Sequence, residues 1–522
     1  MPGVADSGGV LVPAIHSRID VKKLPIILGL AIAFGVTVVD PLVLSLNLPQ
    51  VSRALQVPPG LVGLLSGAAT LVMAAAVLAV GSLADSFGLK RVLMLGLATV
   101  AFVNLLSTLS PGFGYLLAMR FLDGLGLAAL LGLSYGLLKT SVQEEERPKA
   151  IGLFVATEVV LCGAAPAFGG WVVAAVGWRW LFLVPALLSL VSLWLTARYV
   201  PGSPVGRRRR LDVAGVGLVG VALLTAVVGV AAAQNGVCRP QTWAPLAVSA
   251  GCGVLFVLRE RRVPEPALDL GLFRSPAFSL ALAANLTLNF IGGGFGFALG
   301  QFGGVVLSLS PQTIGLLFLP GTLLVAGAVS LAGVLVGRYT PRPVMVAGLL
   351  VTAASGLVMA VTAGPAMALG WLVLTTWLCN LGTLVTSTAV SETVLSHAPP
   401  GRSGTVASVQ QAFGMTGYAF GPTVYLLLFN VFFQQQWLQD AKARGLSVTE
   451  AESAVDAVRS GAAISTSSSG YDPNLLQQAS GLKLGVDFAD ALRLTMLTVS
   501  ALPLLLATAV RLLMPRRAGR QA

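Results

Sequence analysis

Long apolar blocks dominate this 522-residue sequence and restrict what it can fold into. Each block is about 18 to 25 residues long, the length that an α-helix needs to cross about 30 Å of hydrocarbon. Hydrophobic residues make up 55% of the chain and charged residues only 10%, whereas a soluble domain carries about 25% charged residues. A soluble enzyme is therefore excluded, and an all-α polytopic membrane protein is predicted.

Fourteen apolar blocks are long enough to be transmembrane helices. An even number of spans places both termini on the same side of the membrane. The predicted spans cover residues 25–46, 59–82, 92–110, 113–138, 150–176, 179–197, 212–233, 243–258, 278–301, 312–336, 343–363, 367–390, 405–433 and 491–513.

Lysine and arginine orient these spans, because cytoplasmic loops carry an excess of both. The short loops on one side hold little more than Arg53, Arg179 and Arg239. Both termini are therefore predicted to be cytoplasmic, in a multi-pass protein of the cell (inner) membrane. The basic residues on the cytoplasmic side are Arg18, Lys22, Lys23, Lys90, Arg91, Arg147, Lys149, Arg198, residues 207–210, Arg259, Arg261, Arg262, Arg274, Arg338, Arg342, Arg402, Arg516, Arg517 and Arg520.

The net charge of +12 would suggest a nucleic-acid partner in a soluble protein. Here the arginine run at 207–210 lies between two predicted spans, where it fits a topology anchor or a contact with membrane lipids. No nucleic-acid partner is expected.

One predicted outer loop, residues 434–490, is far longer than the others. Ser447 and Glu450 form a capping-box pattern that predicts a helix to about Arg459, and the Gly/Ser-rich segment 460–470 is typical of a flexible linker. Two readings remain open for this loop: a solvated hairpin, or a lid or docking surface near the outer mouth.

A short motif occurs twice and indicates an internal repeat. Gly81 and Leu83, where span 2 ends, align with Gly333 and Leu335, where span 10 ends. Spans 1–6 and 9–14 are therefore predicted to form two related six-helix bundles, a known transporter design. The predicted division is a cytoplasmic tail at 1–24, an N-terminal bundle at 25–198, inserted helices 7 and 8 with basic flanks at 199–277, a C-terminal bundle at 278–513 that includes the outer loop, and a cytoplasmic tail at 514–522.

The first copy of the motif predicts a gating cluster. Its glycines let two helices approach closely, and Asp85 can accept hydrogen bonds at a helix end beside two basic residues. Such a cluster would latch the cytoplasmic side. The residues of this gating motif are Gly81, Asp85, Gly88, Lys90 and Arg91.

At these residues the sequence resembles the major facilitator superfamily. Residues 81–91 resemble its motif A, and residues 117–126 resemble its motif B, with Asp123 in place of the usual glutamine. Residues 165–170 are similar to motif C, the antiporter motif, in which Ala165 replaces the first glycine. The antiporter-motif residues that match are Pro166, Gly169 and Gly170.

Four further segments resemble the fourteen-span drug:proton antiporter branch of this superfamily: residues 38–49, 178–182, 211–215 and 265–274. The resemblance implies a major facilitator fold that exports lipophilic, often cationic compounds such as drugs by alternating access, driven by proton entry. We expect a monomer without a cofactor, whose partners are a lipophilic small molecule or lipid as substrate, protons and membrane lipids.

Few ionisable residues fall in the middle of the predicted spans, and an ionisable group at that depth is a functional candidate. Arg120 and Asp123 are three residues apart in span 4, so they share a helix face and can pair. Asp40 in span 1 and Glu158 in span 5 have no such partner nearby in the sequence.

Proton exchange needs a carboxyl group that binds and releases a proton near neutral pH, which burial can provide. We predict that Glu158 and Asp40 carry the proton or bind the charge of the substrate, and that Arg120 and Asp123 act as a relay or in conformational control. The structural alternatives are a backbone hydrogen bond of Asp40 near Pro41, a static Arg120–Asp123 pair, and a packing role for Glu158.

The second half offers neutral polar residues instead of acids, which either join helices or line a cavity. The candidates are Asn285, Asn289, Gln301, Asn380, Gln410 and Gln411. Gly414, Gly417, Gly421 and Pro422 predict a closely packed, bendable gating helix. An aromatic group at Phe290, Phe295, Phe297 and Phe302 could stack on a flat or cationic substrate or belong to the core.

Other functions are weakly supported by the sequence. A membrane enzyme would need a metal or nucleophile constellation, but His16 and His397 are the only histidines, so no catalytic or metal site is expected. No filter-like run suggests a channel. The remaining alternatives are an exporter of an endogenous lipid or amphipathic natural product and a non-transporting receptor of the same fold.

Overall fold

The structure is a computed structural model that describes residues 23–58, 61–143, 146–202, 213–233, 239–263, 270–307, 309, 311–316, 340–397, 403–443 and 484–514. Within these ranges the chain forms fourteen α-helices and no β-strand, with 3₁₀ turns at Trp178–Phe182 and Leu270–Arg274. The helices are α1 Leu24–Ala54, α2 Val62–Phe87, α3 Leu89–Thr108, α4 Phe113–Ser141, α5 Arg147–Val176, α6 Leu183–Tyr199, α7 Val213–Ala232, α8 Pro240–Glu260, α9 Pro276–Val305, α10 Pro311–Leu316, α11 Pro341–Thr362, α12 Leu369–Ser396, α13 Ser403–Ala443 and α14 Leu484–Leu513.

Twelve of the described helices are long and apolar enough to cross a membrane. The other two are α2, whose apolar stretch is Val62–Val77, and α10, described only over Pro311–Leu316. Most of predicted span 10, residues 312–336, lies outside the described residues. The helices follow the predicted order, so the all-α, multi-pass membrane fold is confirmed.

The ends of the last two helices differ from the predicted spans. α13 continues to Ala443 and α14 begins at Leu484, so helix extends into both ends of the segment 434–490. Hydropathy marks where a chain becomes polar, whereas the residues after 433 remain good helix formers until Gly445. The capping box at 447–450, the helix predicted to Arg459 and the linker at 460–470 lie outside the described residues.

The first six and the last six helices form two bundles with matching internal contacts. In the first bundle α1 packs against α4, α5 and α6, and α3 packs against α4 and α6. In the second, α9 packs against α12, α13 and α14, and α11 packs against α12 and α14. These contacts make α1–α6 the counterparts of α9–α14.

Paired glycines mark the same helix crossing in both bundles. A Cβ atom on Gly126 would lie 2.9 Å from the Gly96 carbonyl oxygen, and one on Gly382 would lie 2.8 Å from the Gly348 carbonyl oxygen. Only glycine permits such an approach of α3 to α4 and of α11 to α12. Gly126 and Gly382 are therefore equivalent positions.

The two bundles meet mainly through α2 with α13, through α5 with α10 and through α1 with α9. We call the end of the molecule where α1 begins the first face and the opposite end the second face. A Cβ atom on Gly67 would lie 2.6 Å from the Ala419 carbonyl oxygen, and one on Gly300 would lie 3.0 Å from the Leu46 carbonyl oxygen. These close contacts lie in the half of the molecule nearer the second face.

The inserted helices lie against the seam between the bundles. α7 packs against both α2 and α13, and α8 packs against α7. Val227 of α7 is buried in an apolar cluster with Leu64 and Leu71 of α2 and Ala419 of α13. α7 therefore covers the α2–α13 seam.

We expect the substitution Gly67→Leu to separate α2 from α13, because its side chain would overlap the backbone at Ala419. Overpacking of this kind costs about 1–3 kcal/mol, so the state in which α2 contacts α13 at Gly67 should lose about tenfold in population. Spin labels on cysteines at the exposed positions 53 and 366, both near the second face, would report a longer distance. The matched control is Gly253→Leu on α8, which has nothing within 4 Å; an unchanged distance in Gly67→Leu would contradict the prediction.

Candidate functional site

A buried ion cluster joins α1 to α4 inside the first bundle. Nη1 of Arg120 donates to Oδ1 of Asp40 at 2.8 Å and lies 3.2 Å from Oδ2 of Asp123. Arg120 and Asp123 are 0% exposed and Asp40 is 3% exposed. The predicted Arg120–Asp123 pair is therefore present, and Asp40, which had no partner nearby in the sequence, is the second acid on the same guanidinium.

Neutral residues complete this site, which we call the Arg120 cluster. Nη2 of Arg120 donates to Oδ1 of Asn104 at 2.8 Å and approaches Oγ of Ser107 at 3.4 Å, while Nδ2 of Asn104 donates to Oδ1 of Asp123 at 2.8 Å. The guanidinium carbon lies 4.9 Å from the centre of the Phe182 ring. Sequence reasoning missed Asn104, Ser107 and Phe182; a lone asparagine inside an apolar span was the available signal.

The Arg120 cluster holds two carboxyl groups but only one cation. Oδ2 of Asp40 and Oδ2 of Asp123 receive no hydrogen bond from any donor in the described part of the chain. The two carboxyl groups contact the same Nη1 atom of Arg120, and two acids held this close together can share one proton. A single proton between them would supply the missing donor and neutralise the cluster.

Glu158 lies apart from the Arg120 cluster, on α5. It is partly buried and has no hydrogen-bond or ion-pair partner among the described residues. Two close contacts set the register of α1 against α5: Gly35 lies against Leu161, and Val43 lies against Gly169, so residues at the same level differ by 126 in number. Glu158 is therefore level with position 32, eight residues before Asp40. At about 1.5 Å per residue, Glu158 lies about 12 Å nearer the first face.

The gating motif lies at the junction of α2 and α3. Gly81 and Asp85 are part of α2, although their side chains lie outside the description, and Gly88 adopts φ +90° between the two helices. Nζ of Lys90 donates to the carbonyl oxygens of Ala197 and Val200 at 3.0 and 2.6 Å, which stabilises the end of α6. Arg91 is exposed.

The antiporter-motif residues lie in the second half of α5. Pro166, Gly169 and Gly170 are all helical. A Cβ atom on Gly169 would lie 2.6 Å from a methyl carbon of Val43, so this glycine allows α5 to pack closely on α1.

Most of the neutral polar candidates form hydrogen bonds with other residues of the second bundle. Nδ2 of Asn285 on α9 donates to the Gln410 carbonyl oxygen at 2.6 Å, and Nε2 of Gln410 donates to Oγ of Ser391 on α12 at 2.9 Å. These bonds join α13 to its neighbours. The other candidates bond within their own helix or are partly buried: Asn289 donates to Asn285, Asn380 donates to Thr376, and Gln301 and Gln411 are partly buried.

The glycines of α13 face α9, as predicted for a closely packed helix. A Cβ atom on Gly421 would lie 2.5 Å from the Phe290 carbonyl oxygen, and one on Gly414 would lie 2.9 Å from Nδ2 of Asn285. Gly417 likewise contacts the backbone at Leu286. Pro422 is buried in the same helix.

The aromatic group of α9 belongs to the core. Phe295, Phe297 and Phe302 are buried in the largest apolar cluster, and the Phe290 ring packs on Tyr425 with centroids 5.8 Å apart. Of the two readings of this group, the structure favours the core. As for metals, no three histidine, cysteine or acidic side chains converge within the described ranges.

Several characterised proteins are similar in sequence over most of the chain. Multidrug resistance protein Stp of Mycobacterium tuberculosis (strain CDC 1551 / Oshkosh) is 31% identical over 399 residues, which cover 75% of this chain and 73% of Stp. Multidrug efflux pump LfrA of Mycolicibacterium smegmatis is 29% identical, with 76% and 78% covered. The tetracenomycin C resistance and export protein of Streptomyces glaucescens is 26% identical, with 84% and 82% covered.

Solved structures share the fold at low sequence identity. A bacterial homologue of the human lysosomal transporter Spinster, in an inward-facing and unoccupied conformation, matches with a TM-score of 0.66 and 16% identity over 96% of this chain and all of that one. The family model described as Major Facilitator Superfamily matches residues 26–422. With this match over most of its length, the chain belongs to the Major Facilitator Superfamily.

Proposed function

We propose that this protein exports lipophilic, often cationic compounds such as drugs in exchange for protons, by alternating access. The observation that carries the proposal is the Arg120 cluster, in which two buried carboxyl groups compete for one guanidinium. The names of the relatives Stp and LfrA, a multidrug resistance protein and a multidrug efflux pump, support the substrate class.

The charge balance of the Arg120 cluster explains why it would bind a proton. With both acids ionised the cluster carries one net negative charge inside the membrane, where an uncompensated charge is expensive. A proton on Asp40 or Asp123 removes that charge, and its release restores it. The protonated and deprotonated states would therefore favour different packing of α1 against α4, which couples proton binding to movement of the bundle.

The position of the inter-bundle contacts supports alternating access. Close contacts at Gly63, Gly67 and Gly300 lie toward the second face, and the distribution of basic residues favours that face as the outer one. This arrangement is the one expected of an exporter that is closed to the outside and ready to take up substrate from the cytoplasm or the inner leaflet.

We further propose a monomer in the inner membrane with both termini cytoplasmic, surrounded by membrane lipids. Residues 25–198 and 278–513 would be the two bundles that move against each other. Residues 199–277 would supply the inserted α7 and α8, with the arginine run at 207–210 as a cytoplasmic anchor. Asp85 with Lys90 and Arg91 would latch the first face during the cycle.

An endogenous amphipathic natural product is the second candidate substrate. It is favoured by the similarity to a protein named for tetracenomycin C resistance and export. A panel of drugs and natural products in the transport assay below would decide between the two classes.

We predict that Asp123→Asn lowers proton-driven transport at least tenfold, because one acid then balances Arg120 without a proton. The assay follows uptake of a fluorescent cationic dye into inside-out vesicles with an imposed pH gradient. Substrate exchange without a gradient should persist, since binding and movement do not require the lost proton. The matched control is Asp490→Asn, whose partly exposed pair with Arg493 lies at the start of α14. Gradient-dependent uptake at the wild-type rate in Asp123→Asn would refute the coupling role.

We also predict opposite exposure of the two faces in intact cells. In a background where the native cysteines are replaced by serine, Ala366→Cys should react with an impermeant maleimide and Arg91→Cys should not. Both positions are exposed in the structure, so burial does not explain a difference. Labelling of Arg91→Cys alone would reverse the proposed orientation.

A further inference from the structure

Two helices of the first bundle, α3 and α6, form an edge that is turned to the membrane. α3 packs mainly against α4 and α6, and α6 packs mainly against α1 and α3. On the outward side of α3, Leu95 is 67% exposed and Phe102 is 62% exposed. On the outward side of α6, Leu187 is 50% exposed and Trp194 is 61% exposed. We call this lipid-facing surface the α3–α6 edge.

Each of the two apolar stripes ends in an exposed arginine. Arg91 lies four residues before Leu95 and eleven before Phe102 on α3, and it is exposed like them. On α6, Arg198 is exposed and follows the two apolar residues of its stripe at the same intervals of four and eleven. Residues at these intervals share one face of a helix. Each arginine therefore belongs to the membrane-facing side of its helix.

The two arginines are brought together by Lys90. Its ammonium group joins the start of α3 to the end of α6 through the carbonyl oxygens of Ala197 and Val200. Arg91 follows Lys90 in the sequence, and Arg198 follows Ala197. Both guanidinium groups therefore start from residues next to the same bond, at the first face.

The positive charge of this pair is not balanced within the described part of the chain. Neither Arg91 nor Arg198 has a hydrogen-bond or ion-pair partner among the described residues, and the sequences of α3 and α6 contain no acid. The Arg198 guanidinium carbon lies 5.8 Å from the centre of the Tyr199 ring, which meets the Trp194 ring with centroids 6.0 Å apart. A contact with a ring satisfies no N–H donor, so both arginines can bind an anion from outside the chain.

The apolar stripes have the depth of one lipid leaflet. Eleven residues of helix rise by about 16 Å, and half of the hydrocarbon core of a bilayer is about 15 Å thick. A phospholipid whose phosphate lies at the two arginines would therefore reach the middle of the membrane at Phe102 and Leu187. Trp194 lies one turn from the arginine end, the depth at which tryptophan is typical of a membrane interface.

The second bundle repeats the link between these helices but not the arginine pair. The equivalent bond runs from Arg342, at the start of α11, to the carbonyl oxygen of Arg511, near the end of α14. Lys90 and Arg342 are equivalent because each precedes the glycine at its helix crossing by six residues. The next residue is Arg91 in the first bundle and Pro343 in the second. The fold therefore does not require an arginine at this position.

We propose that the α3–α6 edge binds an anionic phospholipid, with its phosphate at Arg91 and Arg198 and its acyl chains along the two apolar stripes. Basic residues at the cytoplasmic surface attract anionic lipids, and the proposed orientation places this edge in the inner leaflet. A zwitterionic lipid gains less, because its own cation opposes the two arginines. The site goes beyond the proposed export function, since it holds a lipid on the outside of the bundle and not a substrate.

Quenching of tryptophan fluorescence by brominated lipids tests this site. The full-length protein is reconstituted in phosphatidylcholine vesicles that contain either phosphatidylglycerol or phosphatidylcholine with the same brominated acyl chains. The signal of Trp194 is the difference between the wild type and Trp194→Phe. Phosphatidylglycerol should be preferred at Trp194 by about tenfold or more, because each arginine contributes about fivefold. Replacing both arginines, Arg91→Gln with Arg198→Gln, should reduce this preference below about twofold.

Matched variants separate charge from position. Arg91→Lys with Arg198→Lys keeps both charges and should retain at least about half of the preference. Arg53→Gln removes an exposed base near the second face and should leave the signal of Trp194 unchanged. Trp180, which is 50% exposed just before α6, supplies a reference near the second face, and its lipid preference should be the same with and without the glutamine pair. Size-exclusion profiles and melting temperatures identify variants that fail to fold.

Several outcomes would overturn the lipid site. They are equal quenching of Trp194 by both lipids in the wild type, a preference that survives the glutamine pair, and an equal loss in the lysine and glutamine pairs. Loss of the preference when inorganic phosphate replaces chloride at constant ionic strength would assign the arginines to a soluble anion instead. The assay contains no substrate and no pH gradient, so its result is independent of the proposed export function.

Discussion

Charge compensation at Arg120 is the constraint on which the first bundle depends. A guanidinium that is 0% exposed must be surrounded by acceptors, and α1, α3 and α4 each provide at least one. These three helices are therefore held in one arrangement by a single side chain. Because the acids outnumber the cation, the ionised cluster carries one net negative charge, and under the proposed function a bound proton would balance it.

The sequence predicted features that depend on local periodicity and missed those that depend on packing. Span order follows from hydropathy, and the Arg120–Asp123 pair follows from a spacing of three residues on one helix. The Asp40–Arg120 bond joins residues 80 positions apart, so only the packing of α1 on α4 reveals it. The phenylalanines of α9 showed the opposite error, since residues that lie close together in the sequence became part of the apolar core instead of a substrate site.

The two bundles share their helix crossings but not their chemistry. Through the equivalence of Gly126 and Gly382, the second-bundle counterparts of Arg120 and Asp123 are Thr376 and Cys379. Thr376 bonds only within its own helix and Cys379 is buried. The fold therefore does not require ions at this crossing, since the second bundle makes it with neutral side chains. The charged version in the first bundle is an addition to a common framework, as expected of a feature kept for function.

The position of α7 has a mechanical consequence. This helix touches α2 and α13 at once through aliphatic and small side chains such as Val227, Leu64 and Ala419. Apolar contacts have no preferred direction, so the two helices can slide beneath α7 without breaking a directional bond. α7 therefore covers the α2–α13 seam against lipid tails without fixing α2 to α13, so the seam can still change shape.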